Sequence, residues 1–212
     1  MGQHLVLVGD SVFDNRAYTG GEPEVAAHLR DVLPGWGVTL RAVDGSTTTD
    51  LLPQLEDFPV DATQVVLSVG GNDALDNVDL LGLAVRSTAE ALDLFEARVG
   101  VFEINYRAVV SAVVALGRPT TVCTVYNGNF DGVQAQRIRV ALMMFNDVVL
   151  RTALSFGLNV IELRQVCTEA VDFANPIEPS GVGGRKIALA IARAVGALES
   201  AGPHTRSTLS AG

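Results

Sequence analysis

Long apolar runs are missing from this 212-residue sequence. Nothing in it approaches the roughly 20 consecutive apolar residues of a membrane-spanning helix, so no membrane span is expected. Basic character is scarce as well: 15 Lys and Arg stand against 24 Asp and Glu, a formal charge of −9. Without a basic cluster to neutralise phosphates, nucleic acid is not expected as a partner. Only two cysteines occur, Cys123 and Cys167, which form neither a close metal pair nor a disulfide framework and read as buried thiols. Neither a Walker loop nor a Gly-x-Gly-x-x-Gly turn follows the first strand-like segment, which disfavours nucleotide-cofactor enzymes. No ligand spacing for a metal is present, and Asp10, Asp14, Asp73 and Asp76 read as caps or solvated loop residues. No cofactor is therefore expected. Residues 1–7 enter a strand-like segment without a basic region and cleavage site, so the expected location is cytoplasmic.

What is present is apolar matter enough for one core. Hydrophobic residues make up 48% and charged residues 18%, the balance of a folded domain rather than a disordered chain. The expected boundaries are a domain over 1–199 and a flexible Gly/Pro/Ser/Thr tail over 200–212. Strand-sized apolar runs fall at 5–8, 38–43, 64–69, 120–125 and 159–163, with amphipathic stretches between them at 22–33, 49–58, 78–116, 134–155 and 183–199. Gly100 is a candidate break in the long third stretch. Short apolar strands alternating with helices imply a parallel sheet covered on both faces, because each crossover lays a helix against the sheet. The expected fold is an α/β/α three-layer sandwich.

Ligand sites in open parallel sheets lie beyond the carboxyl ends of the strands. Three small polar turns stand at such ends: Gly9-Asp10-Ser11, Asp44-Gly45-Ser46 and Gly70-Gly71-Asn72-Asp73. Ser11 follows its strand at once, where a following helical turn leaves backbone N–H groups to face a developing anion, a position suited to a nucleophile. Gly45 lacks a Cβ, so its N–H can approach a substrate oxygen, and the Asn72 amide is a neutral donor for the same oxygen. Further along, Tyr126, Asn127 and Asn129 after the fourth run and Arg164 after the fifth are candidates for substrate contact.

These blocks together resemble the SGNH or GDSL hydrolase family, over roughly residues 4–198, and most nearly a bacterial subgroup opening with Gly-Asp-Ser-x-Phe-Asp-Asn. The resemblance implies a flavodoxin-like sheet of five parallel strands in the order 2-1-3-4-5. It also implies a nucleophile at Ser11 and an oxyanion hole from Ser11, Gly45 and Asn72. The family's last block, Asp-x-x-His-Pro, carries the base and the residue that orients it, and here the pattern departs. Asn175-Pro176-Ile177-Glu178-Pro179 aligns with it, so Glu178 stands at the histidine position and Asn175 at the aspartate position. The three histidines, His4, His28 and His204, fall in a strand, a helix and the tail. The paired change keeps a net charge of −1, and an amide beside a carboxylate base avoids the repulsion of two carboxylates. Glu178 is therefore expected to act as the base, with Asn175 donating a hydrogen bond to it. The expected function is hydrolysis of small carboxylic esters, with short acyl or acetyl groups, through an acyl-enzyme on Ser11. A catalytically inactive binding module and an acyltransferase using the same residues are the alternatives.

Overall fold

The computed structural model describes residues 2–198. Five parallel strands, β1 (His4–Gly9), β2 (Gly37–Leu40), β3 (Gln64–Ser68), β4 (Thr120–Cys123) and β5 (Asn159–Ile161), form one sheet in the order β2-β1-β3-β4-β5. Helices α1 (Val25–Val32), α2 (Gly71–Leu75), α3 (Thr88–Ala115), α4 (Gly132–Phe156), α5 (Leu163–Val166) and α6 (Gly181–Ala194) connect and cover it. The expected sandwich and strand order are both observed.

The period of two along the central strand divides the core. Leu5 and Leu7 of β1 face one side, with Leu29 of α1 and Ile187 and Ile191 of α6; Val6 and Val8 face the other, with Val109 and Val113 of α3 and Val149 of α4. All these side chains are buried, which is why β1 reads as an unbroken apolar run rather than an alternating one.

The helices differ from expectation in three places. The stretch 49–58 forms no α-helix but two 3₁₀ turns, Thr48–Asp50 and Leu52–Leu55. Pro53 has no N–H to continue a helical ladder, and Asp50 folds back to cap Thr47. The stretch 78–116 divides before Ser87, not at Gly100: a 3₁₀ turn over Val78–Gly82 is followed by α3, which Ser87 caps by accepting the Glu90 N–H. Gly100 stays helical because packing against the sheet outweighs its cost of about 1 kcal/mol. The last helix spans Gly181–Ala194 rather than 183–199. At the sheet edge β2 stops at Leu40, although the Arg41, Ala42 and Val43 amides still bond to β1 carbonyls. The proposed tail at 200–212, with His204, lies outside the described residues.

Candidate active site

Ser11 follows the end of β1 in a turn that only glycine permits. Gly9 has φ +142°, and a Cβ there would collide with the Ser68 carbonyl oxygen of β3. The Asp10 carbonyl accepts from the Phe13 and Asp14 amides at 3.1 and 3.2 Å, and the Asp10 carboxylate accepts from the Val12 amide at 3.1 Å. One helical turn results. Among the described residues nothing accepts from the Ser11 or Gly45 N–H.

The remainder of the first motif clamps the distant loop that carries Glu178. Asn15, wholly buried, donates to the Pro179 carbonyl and accepts from the Val25 amide at the start of α1, both at 3.1 Å. Phe13 is fully buried among core side chains, and the Asp14 carboxylate accepts from the Asp44 amide at 3.0 Å. The Glu178 loop is braced from within too: the Ala174 amide donates to the Glu178 carbonyl, and Phe173 and Pro179 form an antiparallel bridge. The Tyr126 hydroxyl donates to the Ile177 carbonyl at 2.5 Å. The result is a hydrogen bond from Ser11 Oγ to Glu178 Oε1 of 3.1 Å across 167 positions of sequence.

Glu178 is only 5% exposed, and its Oε2 has no partner among the described residues. Burial, with the negative charge of Asp44, lifts its pKa above the ordinary glutamate value, while the hydrogen bond from Ser11 opposes the rise. The second and third loops are tied together by Asn72 Nδ2, which donates to the Ser46 carbonyl at 2.9 Å, and by Asp73, which accepts from the Thr48 amide at 3.0 Å. Gln54 does the same from beneath. Its buried amide accepts from the Gly9 N–H and donates to the Gly9 carbonyl and to Ser46 Oγ.

Ser11, Asn72, Tyr126, Asn127 and Glu178 line one cavity of about 300 Å³. Gly45 is not in its wall; it occupies the adjacent turn, with φ +78°, one residue before the carbonyl that Asn72 holds. Asn175 corrects an expectation. Its side-chain oxygen accepts from the Ile177 and Glu178 amides, both at 2.9 Å, and its amide does not donate to the Glu178 carboxylate. An exposed asparagine in such a turn sets backbone direction, because its short side chain reaches the amides two and three residues on more readily than the tip of a glutamate. Arg164 is held by Glu162 at 2.7 Å and Asn129 is exposed, and neither borders the cavity. His28 is buried against the Gly181 carbonyl, and His4 bonds Thr39, so neither meets Ser11.

Asp10 caps the turn through the Val12 amide, as expected of a cap, but it is not solvated. It is 3% exposed, and burial, reinforced by the negative charges of Glu178 and Asp73, pushes its pKa up to about 7. The folded protein thus holds this proton more tightly than the unfolded chain, whose carboxyl titrates near 3.9. The stability so conferred is complete below about pH 4 and is lost as pH rises through about 7. Asp10→Asn removes that titration, so the melting temperature of the variant should gain on the wild type steadily from pH 4 to 7. A difference that stays constant with pH contradicts the assignment.

A serine hydrogen-bonded to a carboxylate thus stands at the carboxyl edge of a 2-1-3-4-5 parallel sheet, in an α/β protein of flavodoxin-like strand order. The chain belongs to the GDSL-like lipase/acylhydrolase family, whose model matches residues 7–203. Comparison with curated proteins returns no match. Among solved structures it is similar to the phospholipase A1 from Streptomyces albidoflavus, with 16% identity and a TM-score of 0.70 over 92% of this chain and 100% of that one. The extracellular lipase from Streptomyces rimosus has 16% identity and a TM-score of 0.67, covering 91% and 99%. A catalytic mutant of an acetylxylan esterase from Geobacillus stearothermophilus has 19% identity and a TM-score of 0.64, covering 92% and 96%. At these identities the structural likeness concerns the fold, and it is the family match that supports ester hydrolysis in general. Among the described residues no helix is long and apolar enough to cross a membrane.

Proposed function

We propose that the protein is a serine hydrolase of small carboxylic esters in which Glu178 takes the place of a histidine base. The observation that carries this reading is the buried 3.1 Å hydrogen bond from Ser11 Oγ to Glu178 Oε1. A carboxylate so placed accepts the hydroxyl proton as Oγ attacks the ester carbon. The oxyanion of the tetrahedral intermediate is received by the Ser11 and Gly45 N–H groups and by the Asn72 amide, whose second N–H remains after the bond to Ser46. Collapse breaks the bond to the alkoxy oxygen, which leaves as the alcohol with the proton held by Glu178. Water then attacks the acyl-enzyme, Glu178 takes its proton, and the Ser11 hydroxyl is restored as the carboxylic acid departs.

Two features support the exchange of histidine for glutamate. Burial raises the carboxylate pKa toward the range in which a base is effective near neutrality. A carboxylate has no tautomer to fix, so Asn175 is released to shape the backbone, the role its hydrogen bonds support. The buried free thiols Cys123 and Cys167 are in keeping with the proposed cytoplasmic location.

The test is mass spectrometry after reaction with a fluorophosphonate, with Ser11→Ala beside the wild type. The expected result is a single adduct on Ser11. A Ser11 that stays unlabelled overturns the hydrolase and favours the binding module. Asn72→Ala should lower kcat by about 10²- to 10³-fold, the usual effect of one lost oxyanion donor; unchanged turnover of an aryl ester would remove Asn72 from the hole.

A further inference from the structure

From the walls of the cavity beside Ser11 we infer that the acyl group of the substrate is an unbranched, uncharged chain of about eight carbons rather than an acetyl group. The inference rests on the reading of Ser11 as nucleophile and names the substrate that this site takes.

Beyond Ser11 and Glu178 the wall is built by Leu75, Val78 and Leu81 from the segment before α3, Phe95 of α3, and Ile138 and Leu142 of α4. The only charged side chains in the lining are Asp10 and Glu178, both at the serine end. Asn77, also in the lining, has its polar atoms engaged: its amide donates to the Asp73 carbonyl and its oxygen accepts from Arg98. An acyl group ending in a carboxylate or phosphate would therefore meet no cationic side chain there, only the neutral amides of Asn127 and Gln134 and the carboxylates at the serine end, an arrangement that disfavours an anion.

Size excludes the opposite case. At about 30 Å³ for each water-sized group, 300 Å³ holds about ten heavy atoms, and an octanoyl group has nine. An acetyl group has three, and it would leave most of the apolar wall in contact with water, so the hydrophobic contribution to binding would go unused. Ser11 and Glu178 share this lining with Phe95 of α3 and Ile138 and Leu142 of α4, so a chain esterified to Ser11 has these side chains to pack against.

The experiment measures kcat/KM for the p-nitrophenyl esters of acetate, butyrate, hexanoate, octanoate and decanoate. Each fully buried methylene is worth at most about fourfold, and octanoate is expected to exceed acetate by about 10²-fold or more. Ala141, which lines the cavity from α4, is changed to phenylalanine to fill it, and the octanoate-to-acetate ratio should then fall by about tenfold. Calorimetric titration of the Ser11→Ala protein with octan-1-ol and with ethanol reads the same cavity without catalysis, and octanol should bind at least 10²-fold more tightly. Ser11-dependent hydrolysis with acetate preferred, or with no dependence on length, overturns the chain site and leaves the nucleophile standing. Binding of octanol in a protein that hydrolyses no ester overturns the nucleophile and upholds the chain site.

Discussion

Glu178→Gln is expected to lower kcat/KM for activated esters by about 10²-fold or more, the scale on which general bases act. Glutamine keeps the shape of the side chain and an oxygen able to accept from Ser11 Oγ, so the 3.1 Å contact and the packing around it survive. What it lacks is an oxygen basic enough to take the proton when Oγ attacks. Retention of full activity in this variant would remove Glu178 as the base. The pH profile supplies a second check, since only the ionised carboxylate accepts a proton. The acid limb of kcat/KM should lie above the ordinary glutamate range, because burial and Asp44 both raise this pKa. Asp44→Asn deletes one of those causes and should move the limb to lower pH.

Ser11→Ala is expected to have the largest effect, a loss of about 10⁴-fold or more that leaves only what binding and oxyanion stabilisation supply. The substitution removes one oxygen from a turn whose backbone is set by Gly9, Asp10 and the Val12 to Asp14 amides, so the proposed oxyanion donors should keep their places. Folding should be retained, and a far-ultraviolet spectrum and melting curve near those of the wild type will establish that the loss is chemical. Undiminished turnover in Ser11→Ala would assign the activity to a different site. Combined with Glu178→Gln, the double variant should lose little more than Ser11→Ala alone, because a base without its nucleophile has nothing to activate.

The sheet was legible from local pattern because burial on both faces leaves strands such as Leu5–Val8 and Val65–Leu67 almost wholly apolar, a signal carried within each segment. The stretch 49–58 misled for a related reason: its leucines, at 51, 52 and 55, have helical spacing, but Pro53 and the capping by Asp50 override it. The proposed equivalence of Glu178 to the family's histidine position was legible as a resemblance, anchored by the downstream glycine and the Lys-Ile-Ala run. The role of Asn175 was not, because donation to a carboxylate and acceptance from two backbone amides leave the same letter in a sequence. Asp10 reads as a loop residue until its burial is known. Gln54, which staples Gly9 to Ser46, carries no motif at all.

The sequence by itself determined the alternation of strands and helices, the three loops at one sheet edge and the candidate site residues, because periodicity and short motifs are properties of neighbouring residues; the strand order was implied by the family resemblance. Tertiary structure alone decided three further things. It brought Ser11 and Glu178 to hydrogen-bond distance across 167 positions, through Asn15 and the start of α1. It buried Asp10 and Glu178 enough to raise both pKa values. And it made an apolar cavity from segments spread from Asp10 to Glu178. Distance, dielectric surroundings and enclosed volume are set by every element that packs around a point, and no window of the chain contains them.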